Sequence, residues 1–378
     1  MRRTCTLLAI LLLLGYTARS AGLPTLNSSG AAAIDRMFQA AVDKGEIPGV
    51  VAAVMNKDQI LYLKAFGRQD VAKGTPMSRD TVFRIASMTK PVTSAGIMML
   101  YEQGKLRLDD PVGTYLPAYK GRPVMTGFNE KDATYTTRPA KGEMTIRHLL
   151  AHSSGLSYPF TSPTVLAIQT KTGKEPQDLP LLFDPGTKWQ YSPATAVLGD
   201  ILVKLSGQSI EDWDQARIFR PLGMIDTTYS PAPAAAARLA TVHQREPSGL
   251  VETPNPATYT PSVRGDGGLV STAADYSAFV QMLLNEGSWH GKQLLKPETV
   301  RLMTSNQIGS VVVDTMPAAI PRRSAPFPFG AGKDKFGLGF QITMTDGTRT
   351  HERGAGSYTG PGSTTRISGW IHETASAS

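Results

Sequence analysis

Ser87 and Lys90 stand three positions apart in the segment 83–90, which reads Phe-Arg-Ile-Ala-Ser-Met-Thr-Lys. On a helix, that spacing puts both side chains on one face, about one turn apart. A serine hydroxyl becomes a useful nucleophile when a neighbouring base takes its proton, and a lysine amine can be that base where burial or another cation keeps it neutral. The pair therefore predicts a serine that attacks a carbonyl carbon and is acylated.

The spacing alone is weak support, because a chain with this many serines and lysines is expected to contain about one such pair by chance. Ser87 and Lys90 form the one Ser-x-x-Lys tetrad in the chain. The alternative is a helix-capping serine followed by a solvated lysine. The choice between the two interpretations depends on the rest of the sequence.

Composition indicates an ordinary globular protein of one large or two modest domains, with 378 residues, 41% hydrophobic and 19% charged. Its formal charge of +8 falls to +5 if Arg2, Arg3 and Arg19 leave with a cleaved leader. The remaining basic residues are scattered and form no stripe along the chain. A nucleic-acid partner is therefore not expected.

Residues 1–20 have the pattern of a secretory signal peptide. Arg2 and Arg3 precede an unbroken apolar run at 7–14, and small residues follow at Ala18 and Ser20. We expect cleavage before Ala21 and a periplasmic or secreted protein. An uncleaved leader is the alternative, and it would be the only contact with a membrane. The single cysteine lies within the leader, so the mature chain is expected to have no disulfide.

Periodicity along the chain predicts an α+β fold. A helix is expected over 34–42, followed by apolar strands at 50–55 and 60–66 and by a helix from Ser87 to about Gln103. Further helices are predicted at 197–205 and 272–285, and long loops at 231–268 and 317–335. A strand at 336–344, a turn at Asp346-Gly347 and a returning strand at 348–353 complete the pattern. A helix followed by a hairpin indicates an antiparallel sheet with a helix on one face.

His148 and His152 stand four positions apart and could be read as metal ligands. The glutamate of the zinc-protease pattern is missing between them, and the sequence offers no evident third ligand. Packing and capping roles are the better interpretation. We therefore expect neither a metal site nor a cofactor.

Five short boxes occur in a fixed order, and together they are far more specific than one tetrad. They are Ser-Met-Thr-Lys at 87–90, Leu-Leu-Ala-His-Ser-Ser-Gly-Leu at 149–156, Tyr-Ser at 191–192, Phe-Arg-Pro-Leu-Gly-Met at 219–224 and Gly-Gly-Leu-Val-Ser-Thr at 267–272. Over roughly residues 34–358, the chain resembles the serine β-lactamase and penicillin-binding-protein superfamily. Within it, the resemblance is closest to class C β-lactamases and family VIII carboxylesterases.

The resemblance implies roles for particular residues. Ser87 is the nucleophile, Lys90 lowers the cost of removing its proton, and Tyr191 acts as or with the general base. The alternative for Tyr191 is an ordinary buried tyrosine. The oxyanion hole is expected to use the backbone N–H groups of Ser87 and of Ser363, which follows the position of the family's third box. A Lys-Thr-Gly at 171–173 precedes Tyr191 and is therefore out of order, and it is expected to lie in a polar loop, so it is taken as coincidence.

Two departures from the β-lactamase pattern bear on the substrate. Pro193 stands where β-lactamases usually carry an asparagine that contacts the substrate's side-chain amide, and no lysine lies near Gly360 to bind a β-lactam carboxylate. These losses favour a serine hydrolase of small, neutral carboxylic esters over a β-lactamase. The near alternative is a β-lactamase or D-alanyl-D-alanine carboxypeptidase. The distant one is a non-catalytic binding homologue with a damaged C-terminus.

The resemblance also implies the domain organisation. We expect a single β-lactamase/transpeptidase-like domain at 21–378, with its sheet part at about 21–78 and 330–378 and a mainly helical part at about 79–329. Fifteen residues follow Ser363, whereas the family continues through two more strands and a helix, so C-terminal strands are expected to be missing. A reading-frame slip near Thr359 would account for this, because back-translation in the next frame permits Trp-x-Gly at 359–362.

Overall fold

The computed structural model describes residues 25–246, 248–320, 330–344, 358–360 and 369–371. The expected signal peptide at 1–20 lies outside these residues. So do Ser363, the turn at Asp346-Gly347 and the returning strand expected at 348–353. The division of the chain into a sheet part and a helical part stays a prediction.

Helices of very different length run through the described residues. In chain order they are α1 Ser28–Asp43, α2 Thr89–Glu102, α3 Val112–Tyr115, α4 Ile146–Leu150, α5 Pro163–Thr172, α6 Ala194–Ser206, α7 Ile210–Asp214, α8 Arg220–Leu222, α9 Pro233–Ala236, α10 Ala273–Leu284 and α11 Pro297–Met303. Short 3-10 turns lie at Ala86–Met88, Pro117–Tyr119, Pro159–Thr161 and Pro176–Asp178, and a π-helical turn lies at Gln215–Phe219.

The strands form small antiparallel sheets. They are β1 Gly49–Met55, β2 Ile60–Asp70, β3 Thr75–Pro76, β4 Phe83–Arg84, β5 Val124–Phe128, β6 Tyr135–Arg138, β7 Val242–Glu246, β8 Gly249–Thr253, β9 Val270–Ser271, β10 Ser288–Trp289, β11 Lys292–Gln293, β12 Lys335–Phe336, β13 Gln341–Ile342, β14 Tyr358–Gly360 and β15 Gly369–Ile371. The sheet orders are β1-β2-β3 and β12-β13-β14-β15, with separate pairs β4-β9, β5-β6, β7-β8 and β10-β11. The predicted α+β class is confirmed.

The N-terminal helix and hairpin form where the sequence predicts them. β1 and β2 pair antiparallel from Gly49 opposite Gly67 to Met55 opposite Ile60. Helix α1 lies against β2, and its Asp35 accepts hydrogen bonds from the Tyr62 hydroxyl at 2.6 Å and the Lys64 ammonium at 2.7 Å. The period of 3.6 in the helix and the apolar runs of the strands thus specify both elements.

The main hydrophobic core surrounds α2, which is buried from Thr89 to Leu100. This helix packs against α6, and Gly96 permits the close approach. A Cβ atom at Gly96 would lie 2.9 Å from Cδ1 of Leu202, a distance that side-chain atoms do not tolerate without movement. The buried α2 gives the short 3-10 turn before it, which carries Ser87, a rigid support.

Three expectations about irregular regions are wrong in detail. The stretch 231–268 contains α9 and the antiparallel hairpin β7–β8, whose largely polar, half-exposed strands show no apolar alternation. The strand expected at 336–344 is instead the hairpin β12–β13, because the chain reverses around Gly339, which has a φ of +100° and lies against Ser94. The Lys-Thr-Gly at 171–173 ends α5 rather than lying in a loop.

The tail contains a strand that the sequence pattern does not show. β15 pairs antiparallel with β14, with Gly369 opposite Gly360.

Among the described residues, no helix is both long and apolar enough to cross a membrane.

One carboxyl group is buried in the helical core without a hydrogen-bond partner among the described residues. Asp214 ends α7 just before the π-helical turn and has no exposed surface. Burial, reinforced by the charge of Glu211, raises the pKa of Asp214 well above its ordinary value of 3.8. The folded protein therefore holds this proton more tightly than the unfolded chain does, so the stability of the fold falls as the pH rises from about 4 towards the raised pKa of Asp214.

Replacing Asp214 with asparagine is expected to stabilise the protein at neutral pH. Asp214→Asn removes the ionisation that favours the unfolded chain, and we expect a gain of about 1 to 3 kcal/mol in the free energy of unfolding at pH 7. The gain should shrink towards pH 4. Denaturant unfolding at several pH values measures it, with the exposed Asp58→Asn as a control. A variant less stable than the parent at pH 7 would contradict the expectation.

Candidate active site

Ser87 lies in a tight turn between a strand and the most deeply buried helix. β4 pairs with β9, and the backbone N–H of Ile85 donates to the carbonyl of Leu269 at 3.0 Å. Ala86 then adopts a left-handed φ of 44°, an uncommon conformation for a residue with a side chain. The turn places Ser87 directly before α2 with 7% of its surface exposed.

Lys90 is buried beside Ser87. Its ammonium nitrogen donates to Oγ of Ser87 at 3.1 Å and to the backbone carbonyl of Asp266 at 2.8 Å. Burial lowers the pKa of Lys90 to about 8; the charge of Asp266 opposes this shift and that of Arg264 adds to it. Amine and ammonium forms of Lys90 therefore both exist near neutral pH, as proton exchange with a serine requires.

Tyr191 reaches the same point from the segment before α6. Its ring centroid lies 4.9 Å from Nζ of Lys90, and 2% of the residue is exposed. Burial raises the pKa of Tyr191, while a hydrogen bond with Ser87 acts to lower it and the charge of Asp266 acts to raise it. The structure thus brings together the three side chains predicted for the site, which come from two separate segments of the chain. Their catalytic roles stay a prediction.

Sequence reasoning missed three residues of the site. Asp266, 7% exposed, forms an ion pair with Arg264 at 2.9 Å and accepts a hydrogen bond from the Tyr158 hydroxyl. The ring of Tyr158 lies 5.2 Å from Nζ of Lys90, so two tyrosines flank the amine. A signal was present, because Asp266 directly precedes the box at 267–272 and Tyr158 follows the box at 149–156 by two positions.

The two histidines have structural contacts. His148 belongs to the capping box at the start of α4, where its Nδ1 accepts from the backbone N–H of Thr145 at 3.2 Å. The Nδ1 of His152 lies 3.2 Å from Oγ of Ser192, and burial lowers the pKa of His152 to about 3. Among the described residues, no group of three histidine, cysteine, aspartate or glutamate side chains is placed to hold a metal ion.

An aromatic cluster supports the ring of Tyr191. Its centroid lies 4.8 Å from that of His152 and 5.6 Å from that of Tyr158. Trp189 and Phe336 pack behind His152, with Phe336 5.4 Å away. Because Phe336 belongs to β12 and Tyr191 precedes α6, the cluster joins the late strands to the helical region at the site.

Three further positions singled out in the sequence contribute no side chain to the site among the described residues. Pro193 is the N-cap residue of α6, two positions after Tyr191, and has no amide to offer a substrate. The second oxyanion donor expected at Ser363 lies outside the described residues. Lys171 donates to the backbone carbonyl of Lys131 at 2.9 Å, at the exposed end of α5.

Comparison with known proteins places the chain in a family. The profile of the Beta-lactamase family matches residues 34–372. Protein Rv1367c of Mycobacterium tuberculosis H37Rv is 34% identical over 341 residues, covering 85% of this chain and 82% of that protein. Lovastatin esterase of Penicillium rubens is 30% identical over 354 residues, covering 85% and 87%.

Solved structures agree with the sequence comparison. Unliganded simvastatin synthase (LovD) of Aspergillus terreus superposes with a TM-score of 0.71 at 26% identity, covering 88% of this chain and 87% of that one. This match confirms the predicted β-lactamase/transpeptidase-like fold. The chain therefore belongs to the Beta-lactamase family, and it is a serine hydrolase whose relatives in that family include esterases and acyltransferases.

Proposed function

We propose that the protein cleaves small carboxylic esters through an acyl-enzyme on Ser87. The contact between Nζ of Lys90 and Oγ of Ser87, with the phenol of Tyr191 beside both, is the observation that carries the proposal. A hydroxyl, an amine whose pKa is about 8 and a phenol in mutual reach can exchange one proton within a dry site. The relation to lovastatin esterase supports an ester as substrate.

The reaction runs in two balanced halves. In the first, the Ser87 proton passes to the Lys90–Tyr191 pair, Oγ forms a bond to the ester carbonyl carbon, and the alcohol leaves with that proton. In the second, water gives a proton to the pair and its oxygen attacks the acyl carbon; the carboxylic acid departs and the proton returns to Ser87. The pair ends each cycle as it began.

The developing oxyanion needs hydrogen-bond donors. Ser87 lies in the first helical turn, where backbone N–H groups lack an acceptor within the helix. That N–H is the first donor in our proposal, because negative charge is favoured at the N-terminal end of a helix. The second donor is proposed at Ser363.

Ser87 should be the site of acylation. After brief exposure to p-nitrophenyl butyrate, mass spectrometry should find the added acyl group on the peptide that contains Ser87, because that hydroxyl is next to the proton-accepting pair. Ser87→Ala should lose the label, whereas the exposed Ser310→Ala should keep it.

Tyr191→Phe retains the ring but not the hydroxyl, and it should lower kcat/KM by about 100-fold or more.

Absence of the label from the wild-type protein would overturn the proposal and favour the non-catalytic homologue. A label that persists in Ser87→Ala would place the nucleophile elsewhere.

An ester should be a better substrate than a β-lactam. Pro193 offers no amide to a β-lactam side chain, and the loss of one such polar contact costs about tenfold in rate or more. We expect kcat/KM for p-nitrophenyl butyrate to exceed that for a chromogenic cephalosporin by at least about tenfold. Pro193→Asn should narrow the difference. Faster cleavage of the cephalosporin by the wild-type protein would instead favour the β-lactamase alternative.

We also propose that the protein is exported to the periplasm or secreted. The charged start, apolar run and small residues of the segment 1–20 support this. Expression with the native leader in a Gram-negative host should yield a periplasmic protein whose measured mass is that of a chain starting at Ala21. A full-length chain confined to the cytoplasm would contradict it.

A further inference from the structure

Two tyrosines flank Lys90, and the geometry distinguishes them. The ring centroids of Tyr158 and Tyr191 lie 5.2 and 4.9 Å from Nζ of Lys90. The hydroxyl of Tyr191 interacts with Ser87, whereas that of Tyr158 donates to Oδ2 of Asp266. A phenol that donates to a carboxylate keeps its proton, because its phenolate would face a second negative charge.

Asp266 is fixed from several sides. Its carboxylate pairs with the guanidinium of Arg264 through both oxygens, at 2.9 and 3.3 Å, while its backbone carbonyl accepts from Nζ of Lys90 at 2.8 Å. Burial acts to raise the pKa of Asp266, but the charges of Lys90 and Arg264 hold it below its ordinary value. Asp266 is therefore a buried anion at neutral pH.

Resting on the function proposed above, we propose that Asp266 is a positioning residue of the site. Its carbonyl holds Lys90 against Ser87, and its carboxylate holds Tyr158 as a hydrogen-bond donor. The Ser87 proton is consequently exchanged with Tyr191 and not with Tyr158. Arg264 partly cancels the charge of Asp266 and so limits how strongly that charge stabilises the protonated form of Lys90.

The groups that determine the charge of Lys90 come from several elements. They are Ser87 directly before α2, Tyr158 and His152 after α4, Tyr191 before α6, and Arg264 and Asp266 before β9. His152 is neutral at pH 7, because burial lowers its pKa to about 3. Asp266 and Arg264 are thus the two charged side chains that act on Lys90, and they act in opposite directions.

Because Asp266 and Arg264 shift the pKa of Lys90 in opposite directions, replacing each of them should shift the pH profile of the enzyme in a different direction. Activity requires the Lys90–Tyr191 pair to have lost one proton, whichever member holds the remaining one, so the acidic limb of kcat/KM follows the pair. Asp266→Asn removes an anion and should move that limb to lower pH by about half a unit to one unit. Arg264→Gln, at a half-exposed position, removes a cation and should move the limb to higher pH. A purely structural role would not produce opposite shifts.

The measurement is kcat/KM for p-nitrophenyl butyrate between about pH 5 and 9. Tyr158→Phe should lose far less of kcat/KM than Tyr191→Phe. Acidic limbs that coincide with the wild-type limb in both charge variants would overturn the proposal. So would an equal loss of activity in the two tyrosine variants.

A second readout does not depend on activity. In protein labelled with carbon-13 lysine, the NMR titration of Lys90, assigned with Lys90→Ala, should move down in pH in Asp266→Asn and up in Arg264→Gln. If wild-type Ser87 is not acylated, the proposed function is wrong. The titration still measures whether Asp266 shifts the pKa of Lys90. If acylation occurs and the titration is unmoved in both variants, the role of Asp266 alone fails.

Discussion

The burial of the Lys90 amine is the constraint on which the rest of the site depends. An ammonium removed from water loses hydration, and this loss lowers the pKa of Lys90 to about 8. The amine is kept in place by the carbonyl of Asp266 and by Ser87, at 2.8 and 3.1 Å. The first turn of α2, which carries Lys90, must therefore be buried, because exposure would rehydrate the amine and raise its pKa towards that of an ordinary lysine.

Local patterns predicted the parts of the structure that local physics determines. The α1 helix and the β1–β2 hairpin follow from apolar periodicity, and Ser87 and Lys90 share one face of a turn whatever surrounds them. Tyr191 was reached through the family resemblance, since no local rule brings it near Ser87. Asp266 was missed because its contacts with Tyr158 and Lys90 join residues 108 and 176 positions apart.

The misread elements have two different physical causes. β7 and β8 carry polar residues on half-exposed strands, so backbone pairing forms a hairpin where no apolar alternation exists. In the segment 336–344 the apolar residues are continuous, but Gly339 takes a left-handed φ against Ser94 and reverses the chain. The apolar content of this segment predicted its burial correctly. The conformation of Gly339, which depends on tertiary packing, made the segment a hairpin and not one strand.

Asp266 and Asp214 show why residue type alone does not determine the chemistry of a buried group. Both carboxyls are almost inaccessible to water, and burial acts to raise the pKa of each. Asp266 faces two cations and stays ionised, whereas the charge of Glu211 adds to the effect of burial on Asp214 and favours the protonated form of that carboxyl. A buried anion next to Lys90 can act on the reacting proton. The burial of the Asp214 carboxyl, by contrast, costs stability as the pH rises.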